Sequence, residues 1–208
     1  MFGYLKHRSP VSVVIQRRYV SGFTLLEVLI AIIVLSFGVL GMVGMQASAL
    51  KANREAKYQS IAVVLGKELG QMMRGNPTIS SLSNASSNPY LVDYQGAALT
   101  APADSCFQAG CQVASGGPAK VAAWEIYDWL TRLNAELPDA RVKVCFDATP
   151  YSTSTGLPQW ECSNTGGVAN VKIGWTRAKF DRTTTDNASM LDRATLPFIV
   201  LPLTPGKP

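Results

Sequence analysis

From Phe23 to Leu50 the chain runs 28 residues in which Thr24, Glu27, Ser36, Gln46 and Ser48 carry the only polar side chains. Nothing else in the sequence restricts the fold as strongly. As an α-helix such a run is about 42 Å long at 1.5 Å per residue. A bilayer core of roughly 30 Å needs about 20 apolar residues, so the segment can span one with length to spare. Glu27 sits near its start. A carboxylate inside a membrane helix is costly unless paired, which makes it a functional candidate by default.

Charge placement sharpens this reading. The formal net charge is +5, but residues 1–22 hold Lys6, Arg8, Arg17 and Arg18 and no acid. Removing those four of 19 basic residues leaves 15 against 14 acids. The part that folds is close to neutral, without the positive face that nucleic-acid binding needs. Lys51, Arg54 and Lys57 follow the apolar run, offset by Glu55, and the lysine/arginine bias favours a cytoplasmic N-terminus. The single histidine, His7, lies in the same leader. A chain that loses it has no imidazole, which excludes Ser-His-Asp and Cys-His catalysis and the His-containing zinc sites. A four-cysteine zinc site has no C-x-x-C spacing to support it. No metal and no cofactor are expected.

An ordinary secretory signal also opens with basic residues before an apolar core, and it is cut after that core. Gln46-Ala47-Ser48-Ala49 could pass for the cut site, but the apolar run is too long for such a signal. An amphipathic pattern also continues straight out of it. Tyr58, Ile61, Ala62, Leu65, Leu69 and Met72 fall on one face at helical period. Gly75-Asn76-Pro77 then stops the helix. One helix of about 50 residues is predicted, half in lipid and half packed on a head.

Within it, Thr24 and Glu27 have the S/T-x-x-E spacing of a capping box, which satisfies free N–H groups at a helix start. Gly38, Gly41 and Gly44 are costly in a helix interior. They fit a close helix–helix approach, a stretch that can unwind, or simply the higher glycine content of membrane helices.

Beyond the helix, residues 77–118 are rich in Ser, Asn, Ala, Gly and Pro and read as a long loop. A second helix is predicted over 119–136, with Val121, Ile126, Leu130, Leu133 and Leu137 on its buried face and Trp124 and Trp129 at the margins; Leu137-Pro138 ends it. Strands are predicted at 141–146, where the alternation is clear, and at 160–162, 169–176 and 196–201. Together these give an α+β fold, a small antiparallel sheet laid on helices. The four cysteines, Cys106, Cys111, Cys145 and Cys162, all follow the membrane helix, where an oxidising compartment favours disulfides. Four cysteines allow three pairings. The favoured one joins Cys106 to Cys111 as a local clamp and Cys145 to Cys162 across neighbouring strands.

Gly22-Phe23-Thr24-Leu25-Leu26-Glu27, after a basic leader and before a long apolar helix, resembles the class III signal of type IV pilins and type II secretion pseudopilins. The resemblance implies cleavage between Gly22 and Phe23 by a prepilin peptidase that also N-methylates Phe23, so that the apolar helix stays on the mature chain. It implies a lollipop-shaped subunit: a leader over 1–22, an assembly helix over 23–50, its amphipathic continuation over 51–75 and a periplasmic head over 76–208. It also implies that Glu27 pairs with the Phe23 ammonium of a neighbouring subunit. The run Val28 to Gln46 and the tract Trp124 to Cys145 are similar to the PilV group of minor pilins. That group implies a structural, non-enzymatic protein that starts as a single-pass inner-membrane subunit and then enters the pilus. Its partners would be other minor pilins and a tip adhesin, the major pilin, the inner-membrane assembly platform and membrane lipid, with no nucleic acid. A minor pseudopilin of type II secretion shares the signal and the helix and is the alternative.

Overall fold

The structure is a computed structural model that describes residues 22–103, 117–178, 191–192 and 194–204. The chain forms two compact units, one ending at Ala49 and the other beginning at Leu50. Helix α1, Leu25–Gly75, belongs to both. In the first unit its side chains are exposed along the whole length.

In the second unit α1 buries Ala62, Leu65, Gly66, Leu69, Gly70 and Met73. Tyr58, Ile61 and Met72 pack at the edge of the same core. The periodicity therefore placed the buried face about one residue to the side of its true centre. It did so because two glycines, Gly66 and Gly70, belong to that face and carry no hydrophobic signal. They let the helix backbone approach the sheet: a Cβ on Gly66 would stand 2.6 Å from Cδ1 of Leu201, and one on Gly70 3.3 Å from Leu203.

A short helix α2, Pro77–Ser80, follows at once. The long loop then contributes a strand the sequence did not announce, β1, Asp93–Gln95. Helix α3, Gly117–Glu136, buries Ala122, Ile126, Trp129, Leu130 and Leu133. Val121, expected on that face, is only partly buried, whereas Trp129, expected at its margin, is fully buried. Buried tryptophan needs a partner for its N–H, and Nε1 of Trp129 donates to the carbonyl of Leu65 at 2.8 Å. That bond joins α3 to α1. Arg132 reinforces it with a forked pair to Glu68 at 2.9 and 2.7 Å.

Strands β2, Arg141–Phe146, and β3, Ala169–Gly174, form the centre of an antiparallel sheet ordered β1-β2-β3-β6, with β6 at Ile199–Leu203. The predicted strand at 196–201 is thus shifted toward the C-terminus, and β3 stops two residues short of the prediction. Residues 160–162 are not a strand; they lie in the connection between β2 and β3. Two further short strands, β4 (Arg177–Ala178) and β5 (Leu191–Asp192), pair with each other.

The register sorts the sheet into two faces. Val142, Val144 and Phe146 stand opposite Ile173, Val171 and Ala169, and these opposite Ile199, Leu201 and Leu203. This face shares one core with α1 and α3. The other face carries Arg141, Lys143 and Cys145 beside Lys172 and Asn170, and the 147–168 connection packs on it through the contacts described below. The architecture is α+β, a long N-terminal helix packed on a small antiparallel sheet.

Gly66→Leu should lower head stability by about 1–3 kcal/mol, the usual cost of overpacking a filled core. Urea denaturation of the variant against wild type measures it.

Candidate assembly segment and the anchored head

Gly22, Phe23 and Thr24 precede the first turn of α1 without regular structure. Thr24 is the N-cap. Its hydroxyl accepts the amide N–H of Glu27 at 3.2 Å, and its carbonyl accepts the N–H of Glu27 and of Val28 at 3.1 and 3.3 Å. Half of the predicted capping box is therefore formed, using the backbone of Glu27. Its side chain is exposed. Placed in the first turn, the carboxylate also complements the positive end of the helix dipole.

The next turns offer no internal packing. Phe23 is 83% and Leu25 87% exposed. Every residue of α1 from Leu25 to Ala49 is exposed, and Glu27 is the only charged one among them. Apolar surface this extensive is not kept in water by ordinary monomeric proteins. By length and composition the helix can cross a membrane. Ser36 fits that environment, because its hydroxyl donates to the Ile32 carbonyl at 2.7 Å and so leaves no unsatisfied donor in lipid. A side chain added at Gly38, Gly41 or Gly44 would meet nothing within 4 Å. Packing among the described residues therefore does not require these glycines.

After Leu50 the helix turns polar, and Glu55 is drawn into the head. Its carboxylate pairs with Arg177 at 2.7 Å and accepts the indole N–H of Trp175 at 3.4 Å. The Arg177 guanidinium lies 3.4 Å from the centroid of the Phe198 ring, a cation–π contact. Tyr58 meets Trp175 edge-on. The acid that offset the basic residues in the sequence is thus consumed internally, while Arg54 and Lys57 stay exposed.

On the outer face of the sheet, Cys145 and Cys162 form a disulfide. Cys106 and Cys111 lie outside the described residues. Beside the disulfide is a feature that sequence reading missed: Lys172 and Asp147 form an ion pair at 2.6 Å with both side chains fully buried. The ammonium also donates to the carbonyl of Glu161. The other carboxylate oxygen of Asp147 accepts the N–H groups of Thr149 and Ser163 at 3.0 and 3.1 Å. Burial pushes the Asp147 carboxyl up, but the Lys172 ammonium and these N–H donors outweigh it and hold the group below the usual carboxylate range. The only sequence signal was a lysine inside a strand, which alternation assigns to a solvated face. The ligand atoms of Cys145, Asp147 and Cys162 lie within 4.8 Å of one another. Two of them are bonded together and the third holds an ammonium, so the trio does not suit a metal ion.

A family model for the prokaryotic N-terminal methylation motif matches residues 17–43. The matched stretch contains Gly22, Phe23, Glu27 and the first two of the three glycines just described, Gly38 and Gly41. The chain carries a prepilin-type leader motif, which supports the type IV pilin superfamily, pilin or pseudopilin. No curated protein and no solved structure matches the chain.

Because the folded-state pKa of Asp147 is depressed, the pair stabilises the head above the ordinary aspartate value of about 3.9. That contribution is lost as pH falls through the folded value. Asp147→Asn leaves a buried ammonium without its counter-charge and should cost about 3–5 kcal/mol at pH 7. The deficit should shrink as pH falls below about 4, where the unfolded chain takes up the proton before the folded carboxyl does. Urea melts of both proteins at pH 7 and pH 3 check the sign.

Proposed function

We propose that this protein is a minor pilin of the PilV group, a structural subunit of the minor-pilin complex that primes type IV pilus assembly near the tip. The observation that carries the reading is the methylation motif set directly against a helix whose apolar surface its own chain leaves bare. Such a helix serves a subunit that is stored in a membrane and then joins a bundle of like helices. In this reading a prepilin peptidase cuts between Gly22 and Phe23 and methylates the new terminus. The head is periplasmic, and the partners are other minor pilins, a tip adhesin, the major pilin and the assembly platform. Its role is structural, with no reaction catalysed. Support for the PilV group rests on the run Val28 to Gln46 and on the tract Trp124 to Cys145, which covers most of α3 and of β2. The motif alone serves a minor pseudopilin of type II secretion equally well, and imaging pili in a deletion strain separates the two.

Processing is tested by intact-mass analysis. The mature protein should lack residues 1–22 and carry one added methyl on Phe23. Retention of Met1 in a strain with active prepilin peptidase would falsify the reading.

The role of Glu27 is tested by Glu27→Gln. If the carboxylate neutralises the Phe23 ammonium of a neighbour, the variant should be cleaved and inserted normally, yet enter the minor-pilin complex poorly. An amide cannot neutralise a charge, and an unpaired ammonium in a low-dielectric bundle is costly. If the residue serves only its own cap, Gln suits that position as well as Glu does. Co-purification with other minor pilins, with cleavage and membrane level measured in parallel, decides between them.

A further inference from the structure

The part of α1 that follows its exposed apolar run is charged in a one-sided way. After Glu27 the helix carries two acids, Glu55 and Glu68. The head takes up both: Arg177 pairs with Glu55 and Arg132 with Glu68, each at 2.7 Å. The bases are left out. Arg54, Lys57, Lys67 and Arg74 are exposed. Among the described residues Arg54, Lys57 and Lys67 make no ion pair, and Arg74 donates to the Thr204 hydroxyl at 3.4 Å.

Two of these bases lie close to the end of the apolar run. At 1.5 Å per residue Arg54 and Lys57 stand about 6 and 10 Å along the axis beyond Leu50, while Lys67 and Arg74 stand about 25 and 36 Å beyond it. Attraction between exposed charges reaches about 8–10 Å at ordinary ionic strength. Only the first pair is therefore within range of whatever surrounds the apolar half. Helical Cβ atoms tilt toward the N-terminus, which leans both side chains back toward that half. Long basic side chains reach further by laying their apolar stems along greasy surface and keeping the charge at the polar boundary.

A helix that crosses a bilayer meets phospholipid headgroups at this level, and anionic headgroups attract basic residues placed next to a span. A headgroup phosphate needs a cation, which Arg54 and Lys57 supply. It also needs nearby carboxylates kept away. The one acid between the two bases, Glu55, is turned into the head by Arg177 and by the indole N–H of Trp175. The charge left facing outward at the end of the apolar run is positive.

We propose that Arg54 and Lys57 form a basic collar that binds the anionic headgroups of phospholipids where α1 leaves the bilayer. The collar rests on the reading of the first half of α1 as a membrane span. The Glu55–Arg177 pair keeps it clear of negative charge.

The test uses the full chain in mixed vesicles of phosphatidylcholine and phosphatidylglycerol, with insertion checked by resistance to alkaline carbonate. After extraction in mild detergent, the phospholipid retained by the protein is quantified by mass spectrometry. Wild type should retain phosphatidylglycerol in preference to phosphatidylcholine. Arg54→Gln with Lys57→Gln should lower that preference about tenfold or more, the scale of two cations released from an anionic surface. High salt should do the same to wild type. Lys67→Gln with Arg74→Gln removes the same charge out of reach of the headgroups and should leave the preference unchanged. All four side chains are exposed, and the melting temperature of the head confirms that both variants are folded. Equal preference in wild type and the collar variant overturns the proposal, as does an equal loss in the distal variant. A collar variant that keeps its phosphatidylglycerol and instead loses self-association also overturns it, in favour of an acidic face on a second copy. Extraction of the wild-type protein by carbonate overturns the membrane reading itself, so the two failures are distinguishable.

Discussion

The structure depends on one helix having to satisfy two surroundings. Through its second half, α1 is the inner wall of the head: Leu65, Leu69 and Met73 are buried, and Gly66 and Gly70 bring its backbone against β6. Through its first half the same helix buries no side chain among the described residues. A helix is indifferent to this change because its backbone hydrogen bonds close internally, so only the side chains report the solvent. The switch falls near Leu50. Glu55, about one turn later, is already drawn to Arg177 and Trp175. That pair and the forked Arg132–Glu68 pair are partly exposed and individually contribute little. Their value is geometric, fixing which face of α1 meets the sheet and which meets α3.

The opposite face of the sheet is organised on another principle. Among the described residues no helix covers it; the 147–168 connection does, and a connection without regular structure has few backbone bonds to hold it. Asp147 compensates by serving four groups at once: the Lys172 ammonium, two amides through its carboxylate, and the Asn170 side chain through its carbonyl. A buried ion pair is weak evidence for net stability, since desolvation offsets much of the attraction. Here it sets position. An apolar replacement could fill the same volume but could not point at the carbonyl of Glu161 and at Ser163 together. Reduction of the neighbouring disulfide would leave this polar cluster and buried Trp160, bonded to Ala194 and stacked under Arg141, to tether the loop.

How much of this was legible beforehand depends on the type of signal. The α+β class, α1 with its end at Gly75, α3 and β2 could be read because each is long or strongly periodic. Trp129 was misplaced because its position follows from one hydrogen bond to Leu65, a contact 64 residues distant in sequence. β1 was missed because three residues within a polar loop become a strand only when β2 is there to pair with them. The strand expected at 160–162 failed for the opposite reason: Trp160 and Cys162 are fixed by side-chain contacts with Arg141 and Cys145 rather than by a ladder. Lys172 was invisible because alternation distinguishes inward from outward, but not an outward residue covered by another layer. The N-terminal motif that contains Gly22, Phe23 and Glu27 was legible because a short linear pattern needs no tertiary context.

The two readings of Glu27 do not compete for the same atoms. The cap is made by the Thr24 hydroxyl and carbonyl together with the amides of Glu27 and Val28. Among the described residues, the Glu27 carboxylate takes no part in it. A threonine at the N-cap therefore starts the helix and leaves the acid free. Cleavage after Gly22 would not disturb this arrangement, since every capping atom lies beyond the cut. It would place a new ammonium one residue before the cap, at the positive end of the helix dipole, where a cation is disfavoured. In the proposed assembly, neutralisation by the carboxylate of a neighbouring subunit would relieve that cost and would desolvate the acid only when its counter-charge arrives with it. The charge that makes the isolated helix expensive in lipid would then be the same charge that favours its association with another helix cut at the same junction.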